Sequence, residues 1–365
     1  MNDRPVVTIG IDARAAVEVQ AGRGRLVREL LRALAERDDP HHYLLYARQP
    51  WLELQTDERF AWHLINARDP WWHMRTARAA NRECDVFLSS NSYLTGLFMR
   101  TPAVPIVHDM IAFEPTMHPN RRSTIIERLT LGPAVRKAPL LLCTTQATAD
   151  ALIARFPRAA GRIAIAPLAA TPPDASELGG DERTALPPAG FVLAVGTLEP
   201  RKNLPRLIEA YSSLDNQLQQ EHPLVVVGAL GWKTGETLRS LQSLGSRCLM
   251  LGHVSDAALA ELYRRCAVFC YPSLGEGFGL PVLEAMSAGA PVLTSDISSM
   301  PEVGGDAAAY ADPRDIAAIA RELGALLRDE TRRAELSLRG PARASEFSWA
   351  RFARDTLQAV LSACP

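Results

Sequence analysis

PSLGEGFGLPVLEAMSAGAPVLTSD, residues Pro272 to Asp296, is the stretch that decides the fold. The run Val268-Phe269-Cys270-Tyr271 before it reads as a strand, and glycines follow at Gly275, Gly277 and Gly279. Pro281 is pre-set for a first helical turn, and Gly289 stops that helix before the next apolar run. Glycines let backbone approach a ligand closely, and a helix start fed by such a loop aims unpaired N–H groups at whatever docks there. Against this positive end stand two carboxylates, Glu276 in the loop and Glu284 in the first turns of the helix. Carboxylates accept hydrogen bonds from hydroxyls and do not bind phosphate. Amides for phosphate beside acids for hydroxyls suit a sugar nucleotide.

The spacing from Glu276 to Glu284, with GFG and LP between, resembles the E-x7-E motif of family 4 retaining glycosyltransferases with the GT-B fold. The flanking PS, GFGLP, EAM and AGAPV strengthen the resemblance, which points within the family to bacterial mannosyltransferases of O-antigen assembly. It implies an α/β fold class of two Rossmann-like, doubly wound domains facing across a cleft, with a C-terminal helix returning to the first domain.

Working outward, 365 residues suffice for two cores, and 47% hydrophobic with 22% charged residues is an ordinary globular composition. Six cysteines show no C-x-x-C pair and mostly sit in apolar runs, which reads as buried free thiols. Asp3 and Arg4 precede a first strand, so no signal peptide is expected, and no apolar run reaches the roughly 20 residues of a membrane span. The expected location is the cytoplasm. The net charge of −1 hides a split: Met1–Pro172 carries 22 Lys and Arg against 17 Asp and Glu, the remainder 18 against 24. Arg23 to Arg37 and the group Arg121, Arg122, Arg128, Arg136 and Lys137 are either solvated helix faces or a docking surface for anionic lipid headgroups on the inner membrane face.

Strands alternate with helices along the chain, and the strands are continuously apolar, which predicts parallel sheets covered on both faces. Strands are expected at 6–12, 43–47, 63–65, 86–89, 104–108, 140–145 and 163–168, with Thr145 capping a helix and the clearest other helix at 123–137. The expected boundaries are an acceptor-side domain over 1–172, a linker over 173–190, a nucleotide-sugar domain over 191–346 and a C-terminal helix over 347–365. Between Ala169 and Gly190 four prolines and two consecutive glycines interrupt the apolar periodicity. The second series places strands at 191–196, 224–228, 248–252, 268–271 and 291–294, later helices from Ile316 and Thr331, and a break at Gly340-Pro341.

Gly22 and Gly24 open a helix as GxGxxV, but the second strand ends in Ala47-Arg48-Gln49-Pro50 without the acid that holds an NAD ribose. An NAD site is not expected; the glycines either turn the chain or, as the resemblance implies, border the diphosphate and acceptor side. His108-Asp109 closes a parallel strand, where ligands of open α/β sheets collect. The resemblance of PIVHDMIAFEP to the family's His-Asp segment implies that His108 faces the transferred sugar, with Asp109 supporting it. Gly196-Thr197-Leu198-Glu199-Pro200-Arg201-Lys202-Asn203 sets two cations between a strand and a helix, suited to a diphosphate leaving group. By resemblance Val254 borders the nucleobase, Glu284 takes the ribose hydroxyls, and Glu276 with the N–H groups around Gly277, Phe278, Gly279 and Leu280 holds the sugar. SSMPEV, from Ser298, also resembles the mannosyltransferases, without a physical reason for selecting mannose. Trp71-Trp72 beside His73 fit either an acceptor platform or a core. No D-x-D, H-E-x-x-H or G-x-S-x-G occurs, so neither a metal nor another cofactor is expected.

The expected catalytic residues are therefore His108, Arg201, Lys202 and Glu276. The implied reaction is retaining transfer of a hexosyl group, mannosyl or D-rhamnosyl, from a GDP-sugar to a lipid-linked saccharide. A UDP-sugar donor, a sugar-nucleotide epimerase of the same build and a non-catalytic sugar-nucleotide-binding protein remain as alternatives. No nucleic-acid partner is expected.

Overall fold

A computed structural model of the chain describes residues 6–19, 22–114, 121–171, 178–180, 186–231 and 235–364. The chain divides into two compact units. Unit 1 is built on Met1–Phe113, Asn120–Leu168 and Ser348–Pro365, and unit 2 on Ala169–Phe347. Most of the expected linker lies outside the described residues; Leu178, within it, is buried against Ala257 and Ala258 of unit 2.

Unit 1 holds strands β1 (Thr8–Asp12), β2 (His42–Ala47), β3 (Phe60–Leu64), β4 (Val86–Ser89), β5 (Ala103–Val107), β6 (Leu141–Cys143) and β7 (Ile163–Ile165). All pair in parallel, in the order β3-β2-β1-β4-β5-β6-β7. β4, β5 and β6 are buried at every position, which explains their unbroken apolar runs: helices cover both faces, so no residue turns to water. The strand order reverses between β1 and β4, opening a crevice at their carboxyl ends, where Asp12, Ser90 and His108 stand. Thr145 caps the helix Gln146–Arg155, its hydroxyl accepting from Thr148 N at 3.2 Å. The final helix, Trp349–Ser362, packs on the helix Arg23–Ala35 and on β4, as the resemblance implied.

Unit 2 holds β8 (Val192–Val195), β9 (Leu224–Val227), β10 (Cys248–Gly252), β11 (Val268–Tyr271), β12 (Val292–Ser295) and β13 (Ala309–Ala311). These too are parallel, in the order β10-β9-β8-β11-β12-β13. Its apolar core joins Val192, Leu224, Val226 and Val268 to the helices Leu204–Ser212 and Ile316–Arg328. The all-parallel α/β class is as read from the sequence.

Three expectations change. The third strand lies at Phe60–Leu64, earlier than 63–65, because its alternating exposure hid it among polar neighbours. β13 is only three residues and was not among the expected strands. Gly340-Pro341 does not break a helix: Glu330–Ser345 runs through it. Gly340 faces the Met286 backbone, 3.1 Å from its carbonyl to where a Cβ would stand, so helix-to-helix packing overrides the local signal. The actual break falls just before Ser348, whose hydroxyl caps the final helix.

All six cysteines are free thiols. Among the described residues no helix is long and apolar enough to cross a membrane.

Candidate active site

The quoted stretch of unit 2 folds as strand, loop, helix and strand. Gly279 sits at φ 107° as the cap of the helix Leu280–Ser287, and a Cβ there would lie 2.3 Å from Met300 Cε. Both the backbone angle and the space therefore require glycine. At the other end Gly289 N donates to Met286 O and Ala290 N to Ala285 O, a Schellman closure that ends the helix where the sequence placed the stop. Glu284 is buried on this helix, and Tyr263 donates to it at 3.4 Å.

The segment after β8 makes one turn of 3-10 helix, Pro200–Lys202, closed by Asn203 in the left-handed conformation at φ 60°. Asn203 is buried and its side-chain amide donates to Pro272 O and Pro313 O at 2.9 and 2.7 Å. That clamp ties the PRKN turn to the glutamate loop. Gly196 leaves space for the Lys202 stem, which would lie 3.3 Å from a Cβ. Gly196, Thr197, Lys202 and Tyr271 border one cavity at the carboxyl ends of β8 and β11.

Here Arg201, Lys202 and Glu276 converge. Lys202 Nζ donates to Glu276 Oε1 at 2.8 Å, and Arg201 donates to Glu276 Oε2. Tyr271 and Ser273 each donate a hydroxyl to Glu276 Oε1 at 2.7 Å. Arg201 also pairs with Glu199 at 2.5 Å. The Glu276 side chain is only 9% exposed. Burial pushes its carboxyl up, but Lys202, Arg201 and the bonds it accepts outweigh this and hold it at about 2. Burial draws the Lys202 ammonium below the usual lysine range against the pull of Glu276.

Sequence reasoning found the three charges but missed their supports. Tyr271 and Ser273 flank the loop and gave no signal beyond their position at a strand end. Ser298 and Ser299, from the SSMPEV segment, hold the backbone of the glutamate loop. Ser298 Oγ accepts from Glu276 N at 3.1 Å, and both hydroxyls donate to Glu276 O at 2.9 and 3.0 Å. Ser298 holds φ at 61°, uncommon for a residue with a side chain and kept here by its bonds.

In unit 1 the His108 Nε2 lies 2.8 Å from Ser90 O. A carbonyl only accepts, so Nε2 carries the proton and Nδ1 keeps its lone pair. Burial, then Arg23, lowers the ring to about 3, so His108 is neutral near pH 7. Asp109 Oδ1 accepts from Ile111 N at 3.0 Å, supporting the loop. Gly24 is a packing residue, since a Cβ would meet Val19 O at 1.7 Å; Gly22, at φ 54°, caps the helix and is exposed. Val254 packs beside Leu178, Ala257 and Ala258. Trp72 is fully buried under Arg14, while Trp71 is 62% exposed. Several of the basic residues are engaged internally: Arg28 with Ala16 O and Val19 O, Arg128 with Ala112 O, Lys137 with Leu97 O. The side chains of Arg121 and Arg122 lie outside the described ones.

Residues 184–343 match the family model for glycosyl transferases group 1. Over 308 residues, 82% of this chain and 78% of the relative, the sequence is 35% identical to O-antigen chain mannosyltransferase B of Escherichia coli. The chain belongs to the group 1 glycosyltransferases. A second relative, the serotype-specific mannosyltransferase WbdA of Escherichia coli, is 42% identical over 167 residues, 45% of this glycosyltransferase but 20% of WbdA. Sucrose-phosphate synthase from Thermosynechococcus elongatus superposes with a TM-score of 0.74 at 19% identity, covering 96% of this chain and 98% of that one. That likeness shows the GT-B fold. The glycosyltransferase reading of the sequence therefore stands, with mannosyltransferases of O-antigen synthesis among its relatives.

Proposed function

We propose that this glycosyltransferase moves a mannosyl or D-rhamnosyl group, with retention, from a GDP-sugar to a lipid-linked saccharide. The observation that carries the reading is the pair of cations Arg201 and Lys202, both largely buried and held by one carboxylate at the end of β8. Buried cations preorganised in a site of low dielectric stabilise charge that develops on a departing diphosphate. As the diphosphate draws Arg201 and Lys202, Glu276 becomes free to accept hydrogen bonds from the sugar. Glu284 takes the ribose hydroxyls, the loop amides of Gly277, Phe278, Gly279 and Leu280 face the donor, and Val254 borders the base. On this reading Gly22 borders the diphosphate and His108, neutral and with Nδ1 as an acceptor, meets the transferred sugar.

Retention by double displacement needs a free carboxylate beneath the anomeric carbon. With the diphosphate bound, Glu276 still accepts from Tyr271 and Ser273 and takes up the sugar's hydroxyls, and Glu284 is buried on a helix, so neither is offered as nucleophile. Same-face attack, with the leaving diphosphate oxygen taking the acceptor's proton, fits the residues better. Metal independence belongs to the same reading and is tested by turnover in EDTA. The GDP and mannosyl assignments rest on the relatives and the E-x7-E segment. The cytoplasmic location and contact with an anionic membrane face belong to the same reading.

The test is a melting-curve shift with GDP, UDP and ADP in EDTA, followed by turnover of GDP-mannose and NMR of the product's anomeric configuration. A shift with GDP and an α-linked product are expected. A shift with UDP alone discards the GDP donor, and an inverted product discards retention.

A further inference from the structure

The two carboxylate oxygens of Glu276 are held differently. Oε1 accepts from Lys202 Nζ at 2.8 Å and from the hydroxyls of Tyr271 and Ser273 at 2.7 Å each. Oε2, among the described residues, accepts from Arg201 alone. On the reading above, a diphosphate draws both cations away. Oε1 then keeps two donors and Oε2 keeps none, so Oε2 is the oxygen left for a sugar hydroxyl.

The two hydroxyls on Oε1 are not equivalent. Ser273 has one proton and two acceptors for it, Glu276 Oε1 and Arg201 O at 3.0 Å. Tyr271 has no such choice. Among the described residues its proton goes to Glu276 alone, while its oxygen accepts from Lys202. Burial, then Glu276, raises the phenol well above the usual tyrosine range, so it stays a donor. The ring is fixed as well. Phe269 and Tyr271, two apart on β11, share one face of the sheet and stack with centroids 5.7 Å apart. Tyr263, from the helix Asp256–Arg265, stands nearly at right angles to Phe269 at 5.3 Å. All three rings are buried. Lys202 Nζ lies 4.8 Å from the Tyr271 centroid, so this one side chain touches both members of the ion pair.

We propose that Tyr271 is the positioning residue that pins Glu276 Oε1 to the protein wall and turns Oε2 to the transferred sugar, and that it thereby sets the preference for an intact sugar nucleotide over the bare nucleoside diphosphate. This rests on the donor reading above and adds to it the group that holds Glu276 once the cations have gone. Tyr271 acts through Glu276 and handles neither phosphate nor acceptor.

The experiment is titration calorimetry on the full chain with GDP and GDP-mannose, or with UDP and UDP-glucose if the wild type binds only uridine nucleotides. The quantity read is the Kd of the sugar nucleotide divided by that of the diphosphate. A merely structural role would move both constants together. Tyr271→Phe keeps the stacked ring and removes one oxygen, and it is expected to raise the ratio about tenfold. In turnover its donor kcat/KM should fall while the acceptor KM holds. Ser273→Ala should leave the ratio within about twofold, because Tyr271 still holds Oε1. Tyr263→Phe acts at the ribose-side acid, Glu284, and should change both constants by one factor. An unchanged ratio in Tyr271→Phe overturns the assignment, as does a tenfold rise in Ser273→Ala or in Tyr263→Phe. Should Tyr271→Phe fail to fold, Ser273→Ala decides. A wild type that binds the diphosphate but not the sugar nucleotide also overturns it. A wild type that binds neither GDP nor UDP overturns the donor reading itself, a separate and recognisable result.

Discussion

Lys202 Nζ stands 2.8 Å from Glu276 Oε1, so two residues assigned to different parts of a sugar nucleotide, its diphosphate and its sugar, are partners of each other. Arg201 shares the same carboxylate. On the proposed reading Glu276 has two tasks: it neutralises the cations until a diphosphate replaces it, and it then meets the sugar.

Removing that carboxylate outright leaves two largely buried cations without it, a loss of about 3 kcal/mol or more. The Glu276→Ala variant should thus be destabilised as well as inactive. Glu276→Gln keeps the shape and the bonds from Tyr271 and Ser273. Its turnover should fall by about two orders of magnitude, while the nucleoside diphosphate raises its melting temperature by at least as much as in the wild type. A weaker shift than the wild type's would show that Glu276 does not compete with the diphosphate.

Ser298 offers a cleaner separation of strain from bonding. Ser298→Gly relieves the φ of 61° but loses the two bonds to the Glu276 backbone; Ser298→Ala loses the bonds and keeps the strain. Both should lower turnover, with the alanine variant the less stable by about 1 kcal/mol. Equal melting temperatures would remove strain from the account, and full turnover in both would remove the serine from the site.

Asp12 is fully buried at the end of β1, its Oδ1 accepting from Arg14 N while Oδ2 has no partner. Burial, partly offset by Arg14, raises its carboxyl to about 6 from an ordinary value of 3.8. The fold therefore prefers the protonated form: the stability it adds is complete below about 4 and lost as pH rises through 6. Asp12→Asn mimics the protonated group. It should melt above the wild type at pH 8 and level with it at pH 4. The same offset at both pH values would refute the assignment.

His108 works with the opposite slope. Its value falls from 6.5 to about 3, so the unfolded chain binds the extra proton between those pH values. Stability is whole above about 6.5 and is lost as pH falls toward 3. Between pH 6.5 and 4 the wild-type melting temperature should drop more steeply than that of His108→Gln. Parallel curves would mean that the ring is not held neutral by the fold.

The GEGFGLP loop, its helix start at Leu280-Pro281 and the stop at Gly289 were legible because each is a local rule of backbone conformation. The alternation of strands and helices was legible for the same reason, as was the capping role of Thr145. Where a local signal met a packing demand the packing prevailed, as at Gly340-Pro341, which stays helical against Met286.

The sequence by itself thus determined the parallel α/β class and nominated His108, Arg201, Lys202 and Glu276, because hydrophobic period, turn chemistry and charge type are properties of short windows. Only the tertiary structure decided what those charges do. Arg201 reaches Glu276 across 75 residues, Ser298 reaches back 22, and Asn203 reaches Pro313 across 110. Such meetings are set by strand order and helix packing, and residue spacing along the chain does not record them.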